Sequence, residues 1–114
     1  MITEDYCSFE IAKLLKKKGF DEACIYVYRH DGSEDIWDAD KEDIACQKPT
    51  HQMAMKWLRE EKNIIVNVWY NGVDWNAEYY NNEDKNFYLI TDGSCNSYEE
   101  TVEAALKYVL ENLI

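Results

Sequence analysis

The dipeptide Asn71-Gly72 limits what this chain can fold into more sharply than any other feature. Asn-Gly between alternating apolar runs marks a tight β-hairpin, because both residues tolerate the positive φ angles of a two-residue turn. Such a turn pairs residues whose numbers sum to 143, setting Val68 opposite Trp75, Val66 opposite Ala77 and Ile64 opposite Tyr79 on one face. The other face then takes Trp69 with Asp74, Asn67 with Asn76, and Ile65 with Glu78. A one-residue slip would exchange the two faces, so this clean sorting of apolar from polar supports the assignment. Asp31-Gly32 predicts a second hairpin by the same rule, with Val27 opposite Ile36, Tyr26 opposite Trp37, and Arg29 opposite Glu34. A turn around Asn81 to Asn86 leads into a further strand over Phe87 to Thr91.

Three helices frame these strands. The first covers about residues 7 to 18, with Ile11, Leu14 and Leu15 at helical spacing, Ser8 as N-cap and Gly19 in the left-handed C′ position. The second opens at Thr50 and ends near Asn63, pairing Met53 with Trp57 and Ala54 with Leu58. In the third, Ser97 and Glu100 form a capping box. Val102, Ala105, Leu106, Val109, Leu110 and Leu113 make its apolar stripe, with Glu99, Glu103, Lys107 and Glu111 on the polar side. The order is α-β-β-α-β-β-β-α, and since every strand-to-strand link is a tight turn, the expected class is α+β with a mostly antiparallel five-stranded sheet and three helices. One proline and no linker or repeat in 114 residues predict a single domain over 1–114. Three helices cannot cover both faces of five strands, which leaves a face carrying Ile65, Asn67, Trp69, Asn76, Glu78 and Tyr80 partly open.

Charge excludes more than it selects. Twenty-three acids against 12 bases give a formal net charge of -11, which repels phosphate backbones and anionic lipid and makes direct nucleic-acid or membrane-surface binding an unfavoured expectation. Sixteen aromatic residues speak against disorder. The N-terminus has acids where a secretory segment carries a basic region, so the expectation is a soluble cytoplasmic protein. Cys7, Cys24, Cys46 and Cys95 match neither a zinc knuckle nor a Cys-x-x-Cys motif, and read as free thiols packed as small apolar residues.

The three helical stretches, Ser8 to Phe20, Thr50 to Ile64 and Ser97 to Ile114, resemble a group of small uncharacterised proteins of gut Bacteroidetes bacteria and their phages and mobile elements. The resemblance implies a stand-alone accessory protein and no particular activity or site.

Candidate chemistry is sparse. Cys95 lies in the loop before the third helix, where a thiol can become a nucleophile, but a thiol-dependent enzyme also needs a base, and His30 and His51 are remote in sequence. Seven acids in Asp31 to Asp43 suggest a calcium loop, with Asp38, Asp40 and Glu42 at its first ligand positions. Asp43 stands where that loop needs glycine and Pro49 where it needs a bidentate glutamate, so a solvated acidic loop is the better reading. The histidine spacing gives no zinc signature. Three of the four glycines are used in two turns and a cap, which leaves no phosphate-cradling loop, and no metal, cofactor or catalytic residue is assigned. Met53, Met55 and Trp57 read as core.

What remains is the aromatic strip from Trp69 to Asn82, in which Trp69 and Tyr80, flanked by Asn67 and Asn76, form the expected binding residues. The sequence therefore predicts a non-enzymatic interaction module that uses this sheet face on a protein partner or in a homodimer. An acidic nucleic-acid mimic and a small thiol-dependent enzyme are the alternatives.

Overall fold

The computed structural model describes residues 1–91 and 95–114; Asp92, which the sequence marks as a turn residue, lies outside them. The elements run α1 (Phe9–Lys17), β1 (Tyr26–Arg29), β2 (Glu34–Ile36), β3 (Ile44–Gln47), α2 (His51–Glu61), β4 (Ile65–Tyr70), β5 (Trp75–Asn81), β6 (Asn86–Leu89) and α3 (Tyr98–Asn112). The class is α+β with three helices, but the expected single five-stranded sheet is wrong. Among the described residues, six strands form two separate antiparallel sheets, ordered β2-β1-β3 and β4-β5-β6. The overlooked β3 is the reason. It pairs with the free side of β1, so both edges of β1 are filled and the second hairpin cannot join the first sheet there.

Both hairpin registers also differ from expectation. At the first, Gly32 at φ +87° closes a three-residue loop, with its N–H on Arg29 O and the Arg29 N–H on Ser33 O. That is a turn followed by a left-handed residue, and the odd loop length shifts the register by one. Val27 therefore faces Asp35, Tyr26 faces Ile36, and Arg29 pairs with Asp35 at 2.9 Å instead of Glu34. Ile36 and Trp37 end up exposed. At the second hairpin, Asn71 Oδ1 accepts from the N–H groups of Val73 and Asp74 at 2.8 and 2.7 Å, widening the loop to Asn71–Asp74. Val68 then faces Ala77, Val66 faces Tyr79 and Trp69 faces Asn76. This slip is two residues, so each side chain keeps its face.

The helices form for local reasons. Ser8 Oγ, Thr50 Oγ1 and Ser97 Oγ accept from the N–H groups of Ile11, Met53 and Glu100, capping all three. Glu100 reaches back to the Asn96 N–H, one residue beyond the expected reciprocal bond to Ser97. At the end of α1, Gly19 at φ +104° lets the Phe20 N–H reach Leu15 O and its own N–H reach Lys16 O, a Schellman closure. Along α3, Val102, Ala105, Leu106, Val109 and Leu110 are fully buried, as the stripe predicts. They meet Ile11 and Leu15 of α1, Ala54, Trp57 and Leu58 of α2, and Val66 and Ala77 of the second sheet in one core. A smaller cluster of Ala12, Tyr28 and Cys46 joins α1 to the first sheet. No helix is long and apolar enough to cross a membrane among the described residues.

Candidate functional site

Two places hold chemistry or surface that the fold alone does not require. The first is the outer face of the β4-β5-β6 sheet. The register puts Ile65, Asn67 and Trp69 of β4 beside Tyr80, Glu78 and Asn76 of β5, and extends the face with Leu89 and Phe87 of β6 opposite Glu78 and Tyr80. On the opposite face, Trp75 packs edge-on to Tyr98 and Tyr79 lies 6.2 Å from Tyr108, so α3 covers that side. The expected binding residues have unequal positions. Trp69 is 36% exposed and Asn67 exposed, Tyr80 is half-buried with its ring 5.0 Å from Phe87, and Asn76 is buried with its amide on Asp74 O. Phe87 and Leu89, at 55% and 61% exposed, are the members that the sequence reading missed. Their strand was foreseen, but its register against β5 was not, and only the register tells which of its residues share a face with Trp69.

The second place is a buried junction of three elements. The segment before α1 bridges the start of α2: Tyr6 pairs with Thr50, the Cys7 N–H bonds Pro49 O at 2.9 Å, and the His51 N–H bonds Asp5 O at 2.9 Å. Glu103 of α3 reaches into this seam. Its carboxylate meets His51 Nε2 at 2.9 Å and accepts from the Ser8 N–H at 3.3 and 3.4 Å. Assigned by helical periodicity to the solvated side of α3, Glu103 is in fact half-buried. Cys7 is fully buried, and its thiol, a His51 ring nitrogen and a Glu103 oxygen lie within 4.8 Å of one another. Burial and the Glu103 charge push the Cys7 thiol well above its ordinary value. Burial works to raise the Glu103 carboxyl too, but hydrogen bonds from His51 and Ser8 outweigh it and hold the group below its usual range. Among the described residues, His51 Nδ1 is buried with no hydrogen-bond partner.

The other sequence candidates stay apart from this cluster. Cys95 is buried and bridges Trp75 through its backbone, while His30 is exposed at the tip of the first hairpin. In the acidic loop, Asp31 caps a turn through Ser33, Asp40 accepts from the Glu42 N–H, and Asp35 and Glu34 pair with Arg29 and Lys48. Those carboxylates are engaged locally and do not converge on one point. Trp57 is core, packed edge-on to Phe20, whereas Met53 is exposed. Cys7 and Glu103 had no local signal, because the three donors are 44 and 52 residues apart and meet only through tertiary packing.

Comparison of the chain with models of known protein families, with curated proteins and with solved structures finds no match.

Proposed function

We propose that this protein is a non-enzymatic interaction module whose working surface is the outer face of the β4-β5-β6 sheet, and that its partner is a protein presenting an apolar patch within a basic surround. The observation that carries this reading is the exposure of Phe87 and Leu89 next to each other on β6 and of Trp69 at the far end of β4, all on the face turned away from α3, with Tyr80 beside Phe87 and Asn67 and Glu78 lying between. Large aromatic and aliphatic groups in contact with water are costly to leave uncovered, and aromatic side chains are enriched at the centres of protein interfaces.

Charge selects the kind of partner. Residues 63–114 carry nine acids and two lysines, a net charge of -7, and Glu78 stands within the face itself. A second copy of this chain would bring like charges together, whereas a basic surface would gain attraction and faster encounter. The apolar centre supplies the affinity and the charge supplies steering, so moderate salt slows association without abolishing the complex.

The test is a pull-down from cells that express the protein, run with wild type, with a Phe87→Ser/Leu89→Ser double variant, and with Ile36→Ser as a control at an exposed apolar position of the other sheet. The proposal requires a basic partner retained by wild type and by the control but lost with the double variant. A partner retained by all three, or sedimentation of the pure protein as a dimer that the double variant dissociates, would contradict it.

A further inference from the structure

The Cys7-His51-Glu103 junction resembles a nucleophile, base and orienting acid, yet it does not suit that chemistry. Cys7 has no exposed surface at which a substrate could be attacked, and its surroundings favour the neutral thiol over the thiolate. The same features suit a cation. Thiolate, imidazole and carboxylate are the three donor types that proteins use for zinc, and here one of each comes from the segment before α1, from α2 and from α3.

The spacing agrees with this. Bonds of about 2.3 Å to sulfur and about 2.0–2.2 Å to nitrogen or oxygen place tetrahedral donors roughly 3.3–3.7 Å apart. The three donor atoms lie within 4.8 Å of one another, with His51 Nε2 and Glu103 at 2.9 Å, so small side-chain adjustments that open this contact and bring the Cys7 thiol closer complete the set. The charges also agree, because a divalent ion with one thiolate and one carboxylate is neutral overall, the condition under which burial is least costly. His51 is 6% exposed, and the ring nitrogen it turns to Glu103 is Nε2, so Nε2 is the atom placed to bind an ion held by that carboxylate. Its Nδ1 finds no partner among the described residues, so no second hydrogen bond fixes the ring against a small turn onto the ion. An open groove of about 440 Å³, lined by Glu4, Asp5, Thr50, His51 and Gln52 among others, reaches His51 from the surface and presents two acids to an incoming cation.

We infer that Cys7, His51 and Glu103 bind one divalent transition-metal ion, zinc by donor chemistry, and that the bound ion ties the starts of α1 and α2 to α3. Binding releases the thiol proton and any proton shared by His51 and Glu103 to solvent, with no change of oxidation state.

The test is titration of the untagged, reduced protein with cobalt(II) and then zinc(II), followed by absorption and by competition with a chromophoric chelator. One equivalent of cobalt giving a thiolate-to-metal charge-transfer band, displaced by zinc, is expected. Cys7→Ser should abolish the band, Glu103→Gln should weaken zinc binding by about tenfold or more, and Cys95→Ser should change neither. Because variants at a buried junction can misfold, the wild-type protein provides a separate readout, a rise in melting temperature on adding zinc that calcium does not reproduce. No competition with the chelator, a cobalt spectrum without thiolate character, or equal binding by folded Cys7→Ser would overturn the inference.

Discussion

The two sheets of this protein have the same strand number and opposite economies. In β2-β1-β3, tyrosines turn inward. Tyr28 packs on Phe9 and donates to Cys7 O at 2.6 Å, and Tyr26 meets Tyr6 edge-on, with the Lys48 ammonium near all three tyrosine rings. Two ion pairs, Arg29 with Asp35 and Lys48 with Glu34, cross its strands. In β4-β5-β6 one face is packed under α3, and the other carries Trp69, Phe87 and Leu89 into solvent. Its edge strand β6 is exposed along its whole length, where folded proteins usually blunt an edge with charge or proline. The first sheet leaves Ile36 in solvent at its β2 edge; the second exposes three large apolar side chains on one face.

That contrast can be broken first at α3, which covers the packed side of the second sheet. Leu106→Ala removes a fully buried side chain and should cost about 2–5 kcal/mol in chemical denaturation. Leu89→Ala on the opposite face of the same sheet should stay within about 0.5 kcal/mol. Equal losses would mean that the outer face is packed after all.

The junction gives the next largest effect, and one that depends on pH. Because Glu103 is held below its ordinary value of 4.5, the folded state favours the charged form. Its contribution is therefore complete above that value and is lost as pH falls through the lower, folded one. Glu103→Gln should cost about 1–3 kcal/mol at neutral pH and flatten this acid limb, as thermal melts across pH would record.

A smaller effect separates the two hairpins. Gly72→Ala places a side chain at φ +96° in open space and should cost about 1–2 kcal/mol from backbone strain alone. Gly32→Ala, at φ +87°, also sets its Cβ 3.1 Å from the Phe9 ring, so it should lose more in the same denaturant assay. A smaller loss at Gly32 would mean that α1 is not seated on the first hairpin.

The elements that were legible in the sequence are those whose signals are local. The caps at Ser8, Thr50 and Ser97, the left-handed Gly19 and the stripe of α3 each depend on neighbours within one or two turns. The inner and outer faces of the second hairpin survived an incorrect register because the Asn71 side chain lengthened the loop by an even number of residues. The first hairpin had no such protection, since one left-handed glycine gave an odd loop. The strand β3 was invisible because Ile-Ala-Cys-Gln is only four residues long and includes Ala, a weak strand former. Without it, the side of β1 that β3 occupies looked free to receive the second hairpin. Glu103 was read as solvated because helical periodicity places residues around one helix and carries no information about the starts of two others that meet it.

Site-specific photo-crosslinking in cells bears most directly on the difference between the sheets. A benzophenone side chain at position 87, on the outer face of the second sheet, is compared with one at position 36, an equally accessible apolar site on the first. A discrete adduct with a basic protein from position 87 and none from position 36 is expected. Adducts of the same species from both positions, or from position 36 alone, would contradict the assignment of the β4-β5-β6 face as the binding surface.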